Sequence, residues 1–272
     1  MMSWRDRGVE IKTPEQIASM RRAGLVVCDA LEALRAAVRP GVSTAELDAI
    51  ADDVIRSASA TPSFKGYQGF PASICASVNE QVVHGIPGDL RLAEGDLVSL
   101  DCGAIVDGWH GDAAITVPVG QVAPELLALV ADTEAAMWAG IAAARAGRRV
   151  GDISAAVEAL LRARGGYGIV EDYTGHGIGT AMHQPPDVPN TGRAGRGARL
   201  VPGIALAVEP MVTLGGPDTD ELDDGWTVVT TDGSWAAHAE HTFALTERGA
   251  WVLTARDGGE AELTALGVPF GG

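Results

Sequence analysis

A plan of two helices followed by strands occurs twice in this chain, and such a duplication limits the possible folds more than any single motif does. Thr13-Pro14-Glu15-Gln16 reads as a helix start, with a threonine cap, proline in the first helical position and a glutamine placed to reach back to the cap. Ile17, Met20, Gly24, Val27, Leu31, Leu34 and Val38 then recur every three or four residues, so one stripe faces a core, and Arg39-Pro40-Gly41 ends the helix. Ser43 or Thr44 caps a second helix, with Leu47, Ile50, Ala51, Val54 and Ile55 on its inner face. The plan returns when Pro124 to Ala146 reads as a helix broken by Gly147. Ile153, Ala156, Val157, Leu160 and Leu161 then repeat the inner face, Ile153 standing 106 residues after Leu47. Apolar runs lead from Gly95 to Asp101 and from Gly203 to Glu209, six steps each. An approximate two-fold repeat over residues 13–120 and 121–255 follows. Neither half has enough strands to cover its own helices, so the expectation is one domain, 1–272, with short extensions at both ends.

The chain of 272 residues is 46% hydrophobic with a mean hydropathy of +0.12, ample for a large core and incompatible with general disorder. Twenty Lys and Arg against 36 Asp and Glu leave a net charge of −16, which repels phosphate backbones and argues against DNA as a partner. Cys28, Cys75 and Cys102 are too few, and odd in number, for a disulfide framework, so a cytoplasmic location is expected. Met1 to Arg7 turns polar after two residues, and no apolar run approaches the roughly 18 needed to span a bilayer, so neither export nor a membrane partner is expected. Residues 192–199 read as a flexible basic loop and Gly215 to Gly225 as an acidic one.

Chemistry enters at Asp107-Gly108, a strong two-residue hairpin turn between Leu97–Val106 and the returning strand from Trp109 to Val117. With Val106 opposite Trp109, Asp112 faces Gly103 and sits diagonal to Asp101 on the same face, about 7–8 Å away at the backbone. Gly103 is expected to leave the space between them open. Two acids on apolar strands repel each other and lose hydration unless a cation compensates. Either alone can satisfy backbone donors; together they point to a metal. Glu209 ends the apolar run Ile204–Val208, closed by Pro210, and duplication makes it the counterpart of Asp101. Glu240 precedes His241-Thr242-Phe243-Ala244-Leu245 and is expected in the place related to Asp112. His176 sits in Gly175-His176-Gly177-Ile178-Gly179, where glycines let the backbone crowd a ligand, and all six histidines (84, 110, 176, 183, 238, 241) lie within or beside these motifs. Four carboxylates carry a charge that two divalent ions cancel, and oxygen donors with an imidazole suit Mn, Fe, Co or Zn.

The order Asp101, Asp112, His176, Glu209, Glu240 resembles the type I methionine aminopeptidases of peptidase family M24 over roughly residues 10–255. The strings that carry the likeness are Asn79-Glu80-Gln81-Val82-Val83-His84-Gly85-Ile86-Pro87, Asp107-Gly108-Trp109-His110-Gly111-Asp112, the His176 glycine motif, Val208-Glu209-Pro210-Met211 and Glu240-His241-Thr242. The resemblance implies the duplicated "pita-bread" α/β (α+β) fold, a strongly curved antiparallel sheet with two helix pairs outside and pseudo-two-fold symmetry. It implies removal of the initiator methionine from nascent polypeptides when the second residue is small, with two divalent ions acidifying a water and polarising the scissile carbonyl. By resemblance, Asp101 would hold one ion, Asp112 and Glu240 would bridge both, and His176 and Glu209 would complete the other. Glu209 would accept the proton of the water, His183 in Met182-His183-Gln184-Pro185 would stabilise the tetrahedral intermediate, and His84 would contact the scissile amide. Tyr67, Phe70, Cys75 and Trp226 would line the methionine pocket, with Met182 beside the small-residue pocket. Phe64 stands where relatives often carry Cys, and Met182 where an aromatic is common. Asn79 and Gln81 resemble part of a monovalent-cation site.

Rival activities differ in length. Proline-directed peptidases of this fold carry a large domain before the first metal acid, and type II methionine enzymes insert a helical segment between the later His and Glu. Here 100 residues precede Asp101, and 26 steps separate His183 from Glu209. A metal-free binding protein on the same scaffold would not need all five ligand positions. Arg193, Arg196 and Arg199 offer a small patch for transient ribosome contact; a monomer and no N-terminal zinc-finger extension are expected.

Overall fold

The expected cap closes the first helix in the computed structural model, which describes residues 8–272; the opening Met1 to Arg7 lies outside them. Thr13 Oγ1 accepts from Gln16 N at 3.3 Å while Gln16 Oε1 accepts from Thr13 N at 2.8 Å, starting α1 (Pro14–Ala37). Ser43 and Glu46 make the same reciprocal pair before α2 (Thr44–Ser57). The chain continues through β1 (Thr61–Pro62), β2 (Ile74–Val78), β3 (Gln81–Val83), β4 (Leu97–Val106), β5 (Trp109–Pro118), α3 (Pro124–Ala143) and α4 (Val150–Arg164). After these come β6 (Gly168–Ile169), β7 (Gly175–Gly177), β8 (Gln184–Val188), β9 (Ala205–Val208), β10 (Met211–Thr213) and β11 (Thr219–Glu221). The last elements are β12 (Val228–Thr230), β13 (Ala236–His238), β14 (Glu240–Leu245), β15 (Ala250–Val252) and α5 (Glu260–Ala265).

Strands of both halves share one antiparallel sheet in the order β1-β4-β5-β14-β9-β7-β8, with β2 also on β4 and β15 on β14. Helices α1 and α2 bury Val27, Leu34, Leu47 and Ile55 against Val98, Leu100, Ala113 and Val117. Helices α3 and α4 bury Leu129, Met137, Ile153 and Val157 against Leu206, Val208 and Phe243. The duplication extends to single hydrogen bonds. Gly95 and Gly203 enter the acid-bearing strands with φ of +97° and +92°, and their N–H groups donate to Val119 O and Leu245 O. Ser43 N donates to Glu46 at 2.8 Å as Arg149 N donates to Asp152 at 2.8 Å, again 106 residues apart.

The first hairpin has the expected register, Val106 opposite Trp109 and Asp112 opposite Gly103. The second corrects the expected symmetry. Met211 lies opposite His238 as Gly103 lies opposite Asp112, and Val208 lies opposite His241. The counterpart of Asp112 is therefore His238, while Glu240 corresponds to Ala114.

Four further expectations change. Helix α3 ends at Ala143 rather than Ala146, because Ala144 turns to extended backbone and Gly147 N pairs with Leu200 O. Its 20 residues include an 18-residue stretch with a mean hydropathy of 1.4 and are long and apolar enough to cross a membrane, although no such run was expected. Within it Asp132 accepts from the Tyr167 hydroxyl at 2.9 Å and pairs with Arg164 at 3.6 Å, while Leu129, Thr133 and Met137 are buried. Loop 192–199 is pinned rather than loose: Val150 N donates to Ala198 O, Gly151 N to Arg196 O, and Ala198 is buried. The acidic segment forms a hairpin, β11 pairing with β12.

Candidate active site

Strand register brings the acids together at the seam between the two halves. Asp101 on β4 and Glu240 on β14 both lie opposite Ala114 on β5, whose small side chain leaves space between the carboxylates. The register of Val208 with His241, carried on by one residue, sets Glu209 beside Glu240. His176 occupies the middle of β7, where a Cβ at Gly175 would meet Ala207 O at 2.4 Å and one at Gly177 would meet Pro185 O at 2.3 Å. Only glycine on each side lets β7 fit between its neighbours and present the imidazole to the acids. Asp101, Asp112, His176, Glu209 and Glu240 all line one cavity of about 220 Å³.

Donor atoms of Asp112, His176 and Glu240 lie within 4.8 Å of one another, as do those of Glu209, His238 and Glu240, so Glu240 is common to both groups. Asp101 belongs to neither triad but lines the same cavity. His176 Nε2 is 3.4 Å from one oxygen of Glu209, and His238 Nε2 is 3.7 Å from the other. His176 Nδ1 lies 3.0 Å from Gly177 O; with Nδ1–H donating there, Nε2 keeps its lone pair toward the acids.

Burial dominates the electrostatics. Desolvation, with Glu209 as a like charge, raises Asp101 to about 7; desolvation raises Glu209 to about 8. Asp112 and Glu240 are held well above the usual carboxylate range by burial and then by the acids around them. Burial also lowers His176 to about 3 and His84 to about 4, and lowers His183 and His238, so the imidazoles are neutral at pH 7.

The expected methionine pocket forms the wall of this cavity. Phe70, Cys75 and Met182 are buried with Phe64, flanked by Tyr67 and Trp226, and the Phe70 and Trp226 rings meet edge to face at 5.0 Å. His183 is exposed at the mouth, its ring 4.3 Å from that of His176 and its Nδ1 2.9 Å from the Tyr67 hydroxyl. His84 adopts φ +59° and stacks edgewise on Tyr173 at 5.5 Å. Gly85 follows it, where a Cβ would meet Ala76 O at 2.5 Å.

Some placements differ from expectation. The space above Gly103 is filled, since a Cβ there would meet the Phe64 ring and Ser63 Cβ at 2.8 Å. His110 and His241 do not line the cavity; they bond Ser63 Oγ at 3.0 Å and Thr254 Oγ1 at 2.8 Å. The Asn79 carboxamide bridges Asp96 and Leu97 N, and Gln81 accepts from Val78 N. Gln68 joins the lining without a sequence signal. His238, which lies behind the acids and outside the cavity lining, had one: it stands two residues before Glu240 in strand-like sequence, hence on the same face.

Asp101 Oδ1, Asp112 Oδ1, Glu240 Oε1 and His238 Nε2 are buried with no hydrogen-bond partner among the described residues. Orphaned carboxylate oxygens beside neutral imidazoles fit a divalent cation. Residues 18–247 match metallopeptidase family M24. This chain belongs to metallopeptidase family M24. The M24 chain is 53% identical over 254 residues to methionine aminopeptidase 1 of Mycobacterium tuberculosis, covering 91% of this chain and 96% of the relative. It is 45% identical to methionine aminopeptidase 1 of Bacillus subtilis, covering 89% and 98%. The crystal structure of methionine aminopeptidase from Rickettsia prowazekii superimposes with a TM-score of 0.89 at 40% identity, covering 91% of this M24 chain and all of that one. The antiparallel sheet with helix pairs outside is the pita-bread architecture.

Proposed function

We infer that this M24 metallopeptidase is a methionine aminopeptidase, a metal-dependent hydrolase that removes the N-terminal methionine of polypeptides. The observation that carries this reading is the union of two environments in one cavity: an acid and imidazole floor with unpartnered donors, and an apolar wall of Phe70, Cys75, Met182 and Trp226. Aromatic rings and a soft thiol suit a polarisable thioether.

Divalent binding is assigned to the acid cluster with His176. In the finer reading Asp101, Asp112, His176, Glu209 and Glu240 would hold two divalent ions, Co, Mn, Fe or Zn, and Asp112 and Glu240 would serve both. Bound there, such ions would supply Lewis acidity toward a carbonyl oxygen and lower the pKa of water. The chain's own groups do the rest. Glu209 accepts the proton of the attacking water and returns it to the departing amine. With the Tyr67 hydroxyl donating to Nδ1, the proton of His183 sits on Nε2, free to donate to the oxygen of the tetrahedral intermediate. His84, kept neutral by burial, contacts the scissile amide beside Trp226.

A monovalent cation near Asn79 would rest on backbone carbonyls, since the Asn79 and Gln81 side-chain oxygens already accept backbone N–H bonds. The substrates are nascent chains with a small second residue, and the reading extends to a cytoplasmic monomer that contacts neither DNA nor membrane. The exposed Arg193, Arg196 and Arg199 are the surface for transient ribosome contact; their charge reversal without loss of ribosome co-sedimentation would remove that part. The deciding assay gives chelator-treated protein Mn, Fe, Co or Zn separately with Met-Ala, Met-Leu and Leu-Ala peptides. Metal-dependent release of methionine from Met-Ala, with little from the other two, is the expected result; equal cleavage of Leu-Ala would refute the pocket.

A further inference from the structure

Nothing in the hydrolysis chemistry employs His238, yet the fold gives it the position of an acid. The pseudo-two-fold relation that matches Glu209 to Asp101 matches His238 to Asp112, because Met211 faces His238 as Gly103 faces Asp112. Its side chain therefore approaches the same seam from the second half of the chain, on β13 of the smaller β13-β10-β6 sheet. The residue is 2% exposed, and its Nε2 has no hydrogen-bond partner among the described residues. Its backbone is fixed: His238 N donates to Thr116 Oγ1 at 2.9 Å, and that hydroxyl donates back to His238 O at 2.8 Å. The Thr116 proton being so used, Ser99 Oγ donates to Thr116 Oγ1, 2.8 Å away.

A histidine retained only for packing would satisfy its ring, as His241 does on Thr254 Oγ1 and His110 on Ser63 Oγ. His238 Nε2 faces Glu209 at 3.7 Å, and its nitrogen, one Glu209 oxygen and one Glu240 oxygen lie within 4.8 Å of one another. The first distance is beyond hydrogen-bond reach, whereas donors each about 2.0–2.2 Å from a common ion stand up to roughly 4 Å apart.

We propose that His238 Nε2 is an additional nitrogen donor to the divalent centre, sharing an ion with Glu209 and Glu240. The centre then carries two imidazoles, His176 on one side of Glu209 and His238 on the other. The proposal rests on the metal-centre reading and deepens it. A second nitrogen shifts an oxygen-rich site toward Zn, Co and Fe and away from Mn.

The test uses full-length protein labelled with ¹⁵N-histidine, stripped with chelator and loaded to saturation with ¹¹³Cd. Two histidine ring nitrogens showing scalar coupling to cadmium are expected. One should vanish in His238→Gln and the other in His176→Gln. Calorimetric titration of the His238→Gln protein should show one cadmium-binding step weakened about 10- to 100-fold. A single coupled nitrogen in the unsubstituted protein overturns the proposal while leaving the metal centre standing, and this holds even if either variant fails to fold. Two couplings that both survive in His238→Gln also overturn it. If the protein takes up no cadmium, the metal-centre reading and the proposal fail together.

Discussion

At the scale of single residues, the contacts around His183 separate chemistry from metal binding. The Tyr67 hydroxyl lies 2.9 Å from its Nδ1 and fixes an otherwise exposed ring. Tyr67→Phe should lower kcat about tenfold, the value of one oriented hydrogen bond, while KM for Met-Ala stays within about twofold and metal content is unchanged. His183→Ala, which removes the donor itself, should cost about 10²- to 10³-fold in kcat, again with metal retained. Loss of metal from either variant would contradict the assignment. Glu240→Gln should behave in the opposite sense. Glu240 belongs to both donor triads and its Oε1 has no other partner among the described residues, so elemental analysis should find the variant depleted of divalent metal.

At the scale of elements, helix α1 lies directly on the sheet because two glycines remove the side chains between them. A Cβ at Gly111 would meet Gly24 N at 2.7 Å, and one at Gly24 would meet Leu253 O at 2.2 Å. Gly111→Ala should therefore push α1 off β5 and destabilise the protein by about 2 kcal/mol, lowering Tm by roughly 4–8 °C. Gly166→Ala, with nothing within 4 Å of the added methyl, should leave Tm nearly unchanged in the same melt. The hairpin carrying Asp101 and Asp112 was legible in the sequence because a two-residue Asp-Gly turn permits one register, and every pairing then follows by counting. The hairpin carrying Glu209 and Glu240 was not. Residues 214–235 intervene between β10 and β13, and a connection of that length leaves the register open. The acids can be named from their strings, but the counterpart of Asp112 cannot be counted, and the place expected for Glu240 belongs to His238. Phe64 above Gly103 was hidden for a related reason: the turn from β1 to the short 3₁₀ segment at Tyr67–Gly69 is set by tertiary contacts, with Ser63 N donating to Gly103 O.

At the scale of the whole molecule, the acid seam ties stability to pH and to metal. Asp101 near 7, Glu209 near 8, and Asp112 and Glu240 well above their usual values mean that the metal-free folded chain holds protons that the unfolded chain has released. Where the native state binds more protons, stability falls as pH rises. The histidines act in the other direction. His84 and His241 near 4 and His176 near 3, each lowered from 6.5, are neutral in the fold where the unfolded chain is still protonated, so their contribution rises with pH up to about 6.5. The two effects oppose each other through the titration of the unfolded-state histidines around pH 6.5, but from about pH 7.5 the histidines are neutral in both states and only the carboxylates act. Chelator-treated protein should therefore lose stability between about pH 7.5 and 9, seen as a falling denaturant midpoint at constant m-value. Saturating divalent metal should remove most of that slope, because the bound state requires deprotonated carboxylates and the stabilisation by metal grows as pH rises. A metal-free protein whose midpoint is flat or rising across that window would show that the four acids do not share one buried, mutually repelling site.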